Sequence, residues 1–299
     1  MPNKTIESRH NAAFKLLKDL AAGGRVRRPH HAAWLEGARL CESYVQHCHA
    51  LPKPMDSGVS QAAEIKSPIL VVSSEQRLDA IDPSIQKSCG ATWLLDAKLF
   101  AEISQVETPS GWGMVVPVWI PCDGSAPDRQ ESTVLGRGRQ QGDVVVLDRL
   151  QDPGNAGTIL RSAAASGVTE IWSITGTVDL WSPKVLRAAM GAHFVLNIAE
   201  QMTTDSVVLR SQDLGLSLLA TANAPGALSL YADELCLTGP VAWVFGQEGD
   251  GVSGALLARA QQVVIPQSAK VESLNVAAAA SVCLFEAMRQ KQRSFNARD

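Results

Sequence analysis

From Val144 onward the 299-residue chain alternates short runs of apolar, β-branched residues with amphipathic segments, and this alternation restricts the fold more than any other feature. Val144 to Asp148, Glu170 to Ile174, Leu216 to Ala220, Val241 to Phe245 and Val263 to Ile265 read as buried strands. Helices are expected over Ala156 to Ser166, Ser182 to Ala192, Ser253 to Ala260 and Asn275 to Gln292. Strands separated by helices imply a parallel sheet covered on both faces, because a parallel connection needs a crossover long enough to return along the sheet. Ligands of such sheets bind outside the carboxyl ends of the strands, so function is sought in the loops that follow them.

The first half is less regular. Ala13, Leu17, Leu20 and Ala21 recur at helical spacing with Phe14 alongside, so residues 5 to 22 are expected to form an amphipathic helix, taken as a helical extension over 1–22. GGRVRRPHH then breaks the pattern and presents Arg25, Arg27 and Arg28. A strand over Ala33 to Glu36, a helix from Gly37 to Gln46, a loop around Pro52 and Pro54, and a strand over Ile69 to Ser73 follow. Trp93 to Leu95, residues 97 to 104 and Met114 to Ile120 continue the alternation, which gives a small α/β domain over 23–120. Residues 121 to 142 (PCDGSAPDRQESTVLGRGRQQG) have almost no apolar period and read as a linker to a second domain over 143–299. The fold class is α/β.

With 45% hydrophobic and 19% charged residues the chain is not disordered, collagenous or a coiled coil. Its longest apolar stretch, Val276 to Phe285 interrupted by Ser281, is about half a membrane span. Lys15, Lys18 and Asp19 break the N-terminal segment, unlike a signal peptide, so no membrane and a cytoplasmic location are expected. Six cysteines without a CxxC pair read as reduced thiols. Cys41, His47, Cys48 and His49 are close in sequence, but the histidines are two apart and point to different sides of a helix, and no second cluster completes a tetrahedral set. No metal site is expected.

Three loops after strands carry polar groups that a core does not need. In DRLQDPGNAGTILR, Gly154 and Gly157 allow close backbone approach, Asn155 stands where a helix N-cap is expected, and Arg161 falls inside that helix. FGQEGDGVS holds Glu248 between Gly246 and Gly249, yet its spacing matches neither a P-loop nor a dinucleotide fingerprint. IPQSAKVESLN leads into VAAAASVCLF, with Ser273 and Asn275 as candidate caps and small residues that permit close packing. Taken singly, each loop also fits an ordinary capped or glycine turn.

Together and in this order, LDRLQDPGNAGTILRSAAASG, VFGQEGDGVS and IPQSAKVESLNVAAAA resemble the three motifs of the SpoU (TrmH-type) RNA 2′-O-ribose methyltransferases of the SPOUT class. RVRR, WLEGARL and ETPSGWGMVV are similar to pieces of that family's N-terminal substrate-binding domain. The resemblance implies a trefoil knot near the C-terminus, S-adenosylmethionine as cofactor and a homodimer. It also implies cofactor contacts from Thr221, Gly246, Ile265 and Leu274, and an active-site set of Asn155, Arg161, Glu248, Ser273 and Asn275. Gln267 and Ala269 depart from the Met and Gly usual in the third motif. Family proposals give the 2′-hydroxyl proton to the residue at Arg161. A guanidinium stays protonated in almost any setting, so a bidentate grip on the neighbouring phosphate suits it better. Glu248, a carboxylate of the glycine loop, is read chiefly as an acceptor for backbone N–H groups.

Structured RNA is the implied substrate, rRNA ahead of tRNA, with a non-catalytic RNA-binding protein as the rival reading. A net charge of −3 argues against RNA only until it is divided by region. Residues 1–60 hold nine Lys and Arg against five Asp and Glu, a balance of +4, which leaves −7 for the rest. RNA contact is therefore expected to begin at Arg25, Arg27 and Arg28, aided by Arg137 and Arg139 in the linker.

Overall fold

A computed structural model describes residues 4–47, 65–118, 142–268, 270 and 273–296; the Arg25 side chain, Arg137, Arg139, Cys48 and His49 lie outside the description. The chain divides into two compact units, Met1–Ile120 with Trp181–Phe194, and Pro121–Leu180 with Val195–Asp299.

The first unit contains β1 (Lys4–Ile6), α1 (Ala12–Ala22), α2 (Gly24–Arg27), β2 (Ala32–Glu36), α3 (Ala38–His47), β3 (Ile69–Val72), α4 (Glu75–Asp79), α5 (Pro83–Ser88), β4 (Ala91–Leu95), α6 (Ala97–Ile103) and β5 (Trp112–Pro117). Its sheet runs β1-β4-β3-β5-β2. β4 pairs in parallel with β1 and β3, while β5 is antiparallel to β3 and β2. The segment expected to be a helix from residue 5 is thus corrected. It begins as a strand, and α1 starts only after Asn11, whose side chain accepts from the Ala13 N–H at 2.9 Å. Ile6 joins Phe14, Leu17, Leu20, Trp34 and Phe100 in one core, so residues 4–22 are built into the sheet and core and are no appended extension. A three-residue strand is too short to show a period of its own, and the helical spacing that begins at Ala13 masks it.

The second unit is the regular one. Along the chain come β6 (Val144–Asp148), α7 (Pro153–Ala165), β7 (Glu170–Ile174), α8 (Pro183–Ala189, grouped with the first unit), β8 (Asn197–Met202), α9 (Thr204–Asp213), β9 (Ser217–Thr221), β10 (Leu228–Ser229), β11 (Val241–Gly246), α10 (Gly254–Leu257), β12 (Gln261–Val264) and α11 (Val276–Asn296). The sheet order is β10-β12-β9-β11-β6-β7-β8 and every pairing is parallel. Val144, Val146, Trp172, Ala220, Ala242 and Val244 form a core on the sheet. α11 lies against α7, where Ala277 and Ala280 are buried and the Ser162 and Ser281 hydroxyls meet at 2.8 Å. Small side chains on α11 allow that approach.

Parallel pairing puts all strand carboxyl ends on one edge. Gly246 at the end of β11 stands opposite Asp148 at the end of β6, and Val263 of β12 opposite Thr221 at the end of β9. The loops that follow β6, β11 and β12 therefore leave from one edge of neighbouring strands. Among the described residues, no helix is long and apolar enough to cross a membrane.

Candidate active site

The loop after β6 turns into α7 at Asp152, whose carboxylate accepts from the Asn155 N–H at 2.7 Å. Asp152, and not Asn155, is therefore the N-cap. Pro153 fixes this assignment, because a proline suits the first helical position, where its missing N–H would have had no partner. Asn155 sits in the first turn and its side chain is left for other work. Its Nδ2 donates to Glu248 Oε1 at 3.0 Å, and its Oδ1 accepts from Asn275 Nδ2 at 3.0 Å.

Glu248 reaches out of the glycine loop after β11. Besides Asn155 it accepts from the Gln151 N–H at 3.3 Å and the Asp152 N–H at 3.1 Å. Partial burial pushes its carboxyl up. The bonds from the Asn155 side chain and from the backbone of Glu248, Asp152 and Gln151 outweigh that and hold it below the usual carboxylate range. A carboxylate so held is a poor proton acceptor at neutral pH and a good anchor for the first loop. Asn275 completes the array: its Oδ1 accepts from the Ala277 and Ala278 N–H groups at 2.9 and 3.2 Å, which caps α11. One continuous line of hydrogen bonds, Asn275 to Asn155 to Glu248, ties the three loops together.

Gly246 has no room for a side chain. A Cβ there would stand 2.1 Å from the Gly251 carbonyl carbon and 2.2 Å from the Val252 nitrogen. The loop folds back on the strand end, closed by the exchange between Gln247 and Gly251 at 3.1 and 2.8 Å. The Thr221 hydroxyl donates to the Val244 carbonyl at 3.4 Å. Ile265 follows β12 and is half-buried, while Leu274 leaves 40% of its surface in solvent just before Asn275. Ser273 is exposed on the approach to α11, and Asn275 supplies the cap. Arg161 projects from α7 exposed, and no carboxylate among the described residues pairs with it.

Arg27 is corrected outright. It is fully buried, with Nη1 donating to the Ala32 carbonyl at 3.2 Å, so it serves the fold of α2 and β2 and offers nothing to a phosphate backbone. Arg28 is half-buried. Cys41 is fully buried, with its thiol donating to the Leu35 carbonyl at 3.6 Å, which suits packing rather than ligation.

Sequence reasoning passed over Asp148. It is 1% exposed, its Oδ2 accepts from the Ser253 N–H at 2.6 Å, and its Oδ1 accepts from Arg149 Nε at 3.2 Å. Asp148 and Glu248 thus reach in opposite directions between the first two loops. The available signal was an aspartate closing an otherwise apolar strand.

Residues 143–285 match the model of the SpoU rRNA Methylase family. An uncharacterised tRNA/rRNA methyltransferase of Synechocystis is 45% identical over 148 residues, which is 49% of this chain and 53% of that protein. The chain thus spans about half the length of that relative. The 23S rRNA (guanosine(2553)-2′-O)-methyltransferase RlmP of Bacillus subtilis is 29% identical over 226 residues, 74% of this chain and 82% of its own. Among solved structures, an AdoMet-bound rRNA methyltransferase from Sinorhizobium meliloti has a TM-score of 0.72 and 25% identity, covering 95% of this chain and 97% of that one.

Proposed function

We propose that the protein is an S-adenosylmethionine-dependent methyltransferase acting on a ribose 2′-hydroxyl of structured RNA, with rRNA the substrate ahead of tRNA. The observation that carries this reading is the line from Asn275 through Asn155 to Glu248, which joins three loops at the carboxyl edge of a parallel sheet. A protein that only bound RNA would have no need for a polar array built across three loops. The family match over residues 143–285 and the names of the relatives support the reaction class and favour rRNA.

The residues at the edge suit the cofactor. Thr221 and Gly246 at strand ends, Ile265 just after β12 and Leu274 just before Asn275 offer backbone groups and apolar surface, and the glycine at 246 lets the loop fold tightly against its strand. When bound, S-adenosylmethionine supplies a methyl group on a sulfonium that is already a good leaving group. The protein must then align the hydroxyl and remove its proton. Arg161, exposed and permanently charged, grips the neighbouring phosphate and lowers the hydroxyl pKa, and water or a phosphate oxygen takes the proton. Glu248, Asn155 and Asn275 hold the loops in place, and Ser273 belongs to the same proposed set.

The same reading includes a trefoil knot near the C-terminus, a homodimer, a cytoplasmic location, and a division into a substrate-binding domain up to residue 120, a linker over 121–142 and a catalytic domain from 143. Arg25, Arg28, Arg137 and Arg139 are its RNA contacts outside the site. Mapping 2′-O-methyl groups in total RNA with and without the gene tests it. One site should vanish, and an unchanged map favours the non-catalytic RNA-binding protein. Arg161→Ala should abolish transfer and leave cofactor affinity nearly intact; retained turnover removes Arg161 from the mechanism.

A further inference from the structure

We infer that Arg149, oriented by the buried carboxylate of Asp148, grips a phosphate of the substrate RNA beside the target ribose. The inference rests on the methyltransferase reading above and adds a residue that the family motifs do not assign. Arg149 leaves β6 with φ of 58°, a left-handed conformation that is costly for a residue with a long side chain. Two loops hold it there, its own and the one after β7. Its N–H donates to Thr177 Oγ1 at 3.1 Å, and its carbonyl accepts from Gln151 Nε2 at 2.8 Å, which also donates to the Gly176 carbonyl at 2.7 Å. The side chain passes over Gly176, where a Cβ would meet Arg149 Cγ at 3.5 Å.

The guanidinium is fixed by one corner. Nε donates to Asp148 Oδ1 at 3.2 Å, and the other carboxylate oxygen is taken by the Ser253 N–H at 2.6 Å. A guanidinium has five N–H donors, and no described residue accepts from the four on the terminal nitrogens, although 38% of the side chain is exposed. Arg289 by contrast meets Glu286 through both Nε and Nη2, at 2.7 and 2.6 Å. Arg149 instead presents an open planar fork, two residues before the backbone that Glu248 anchors. Asp148, Asp152 and Glu248 all stand at this edge, and a phosphate brought there needs a fixed cation against them. A fork of paired donors fits two phosphate oxygens.

The test compares the full-length wild type, Arg149→Asn and Arg149→Lys with an unmodified transcript of large-subunit rRNA and with S-adenosylmethionine. Asparagine tolerates the positive φ and removes the charge. It should weaken RNA binding about tenfold and lower the slope of log affinity against log salt by about 0.7 to 0.9, the share of one phosphate contact, with cofactor affinity unchanged. Lysine keeps the charge beside Asp148 but not the fork, so it should restore the slope and only part of the affinity. Should Arg149→Asn fail to fold, the lysine variant decides alone, and full RNA affinity in it overturns the assignment. A lowered thermal midpoint with unchanged RNA affinity and slope also overturns it, making the pair purely structural. A wild type that binds no RNA would overturn the wider reading and this one with it; wild-type turnover beside an unaffected Arg149→Asn overturns this one alone.

Discussion

The carboxyl edge of the parallel sheet and the arginine-rich turn of the first unit use charged side chains in opposite ways. At the edge, Glu248 and Asp148 reach between loops, and Arg161 and the Arg149 fork remain open to solvent. In the turn, Arg27 is drawn wholly inside and spends Nη1 on the Ala32 carbonyl. The difference is topological. A parallel sheet collects strand ends on one side whatever the details, so polar residues after its strands stay at the surface and near each other. The four-residue α2 has no such frame, and its rotation alone decides which arginine turns inward.

The comparison can be broken at either end. The largest effect should come from Arg27→Ala, which empties a buried volume and leaves the Ala32 carbonyl without this donor. A loss of about 3 kcal/mol in unfolding free energy is expected from denaturant titration, with no change in the salt dependence of RNA binding. A shallower salt slope would return Arg27 to the RNA contacts. Next comes Gly246→Ala, whose added methyl must displace the backbone of Gly251 and Val252. It should cost about 2 kcal/mol and weaken S-adenosylmethionine binding measurably by calorimetry. Unchanged binding would show that the fold-back of this loop is not part of the cofactor seat.

The smallest effect concerns pH. Hydrogen bonds hold the Glu248 carboxyl below its usual value of 4.5. Its contribution is therefore complete above the unfolded value and disappears as pH falls through the lower folded one. Because the side chain is exposed, screening keeps this to less than about 1 kcal/mol. As pH falls below the usual carboxylate value of 4.5, the protection of the Gln151 and Asp152 amides, taken relative to their intrinsic exchange rates, should drop further than in Glu248→Gln. Identical acid profiles in the two proteins would remove Glu248 as the anchor of the first loop.

Much of the parallel sheet could be read before the structure, because fully buried strands such as Val144–Asp148 and Val241–Gly246 are continuous apolar runs. β8 could not. Asn197, Glu200 and Gln201 break its apolar pattern, and Glu200 is buried because Oε1 accepts from the Leu180 N–H at 3.2 Å. In the site, Asn155, Glu248 and Asn275 stood out as polar residues in loops after strands. Their mutual bonds did not, since partners 93 and 120 positions apart leave no local trace. Asp152 was within reach, because Pro153 marks the helix start. Asp148 gave only a partial signal, since an aspartate that closes an apolar strand looks the same in sequence whether it faces water or a neighbouring loop. Arg27 failed for the related reason that a formal charge carries no sign of burial.

The span of 120 positions between Asn155 and Asn275 also sets an order of events during synthesis. β6 and α7 emerge from the ribosome well before β11, which must slot between β9 and β6, and before α11, which brings the last partner. Until then the Asn155 side chain and the Gln151 and Asp152 amides have only water for company. The closing of the sheet's centre and the completion of the site are thus one late step of high sequence separation, slow in the way that distant strand pairings are slow. A nascent chain lacks the Asn275 to Asn155 bond until α11 has been translated.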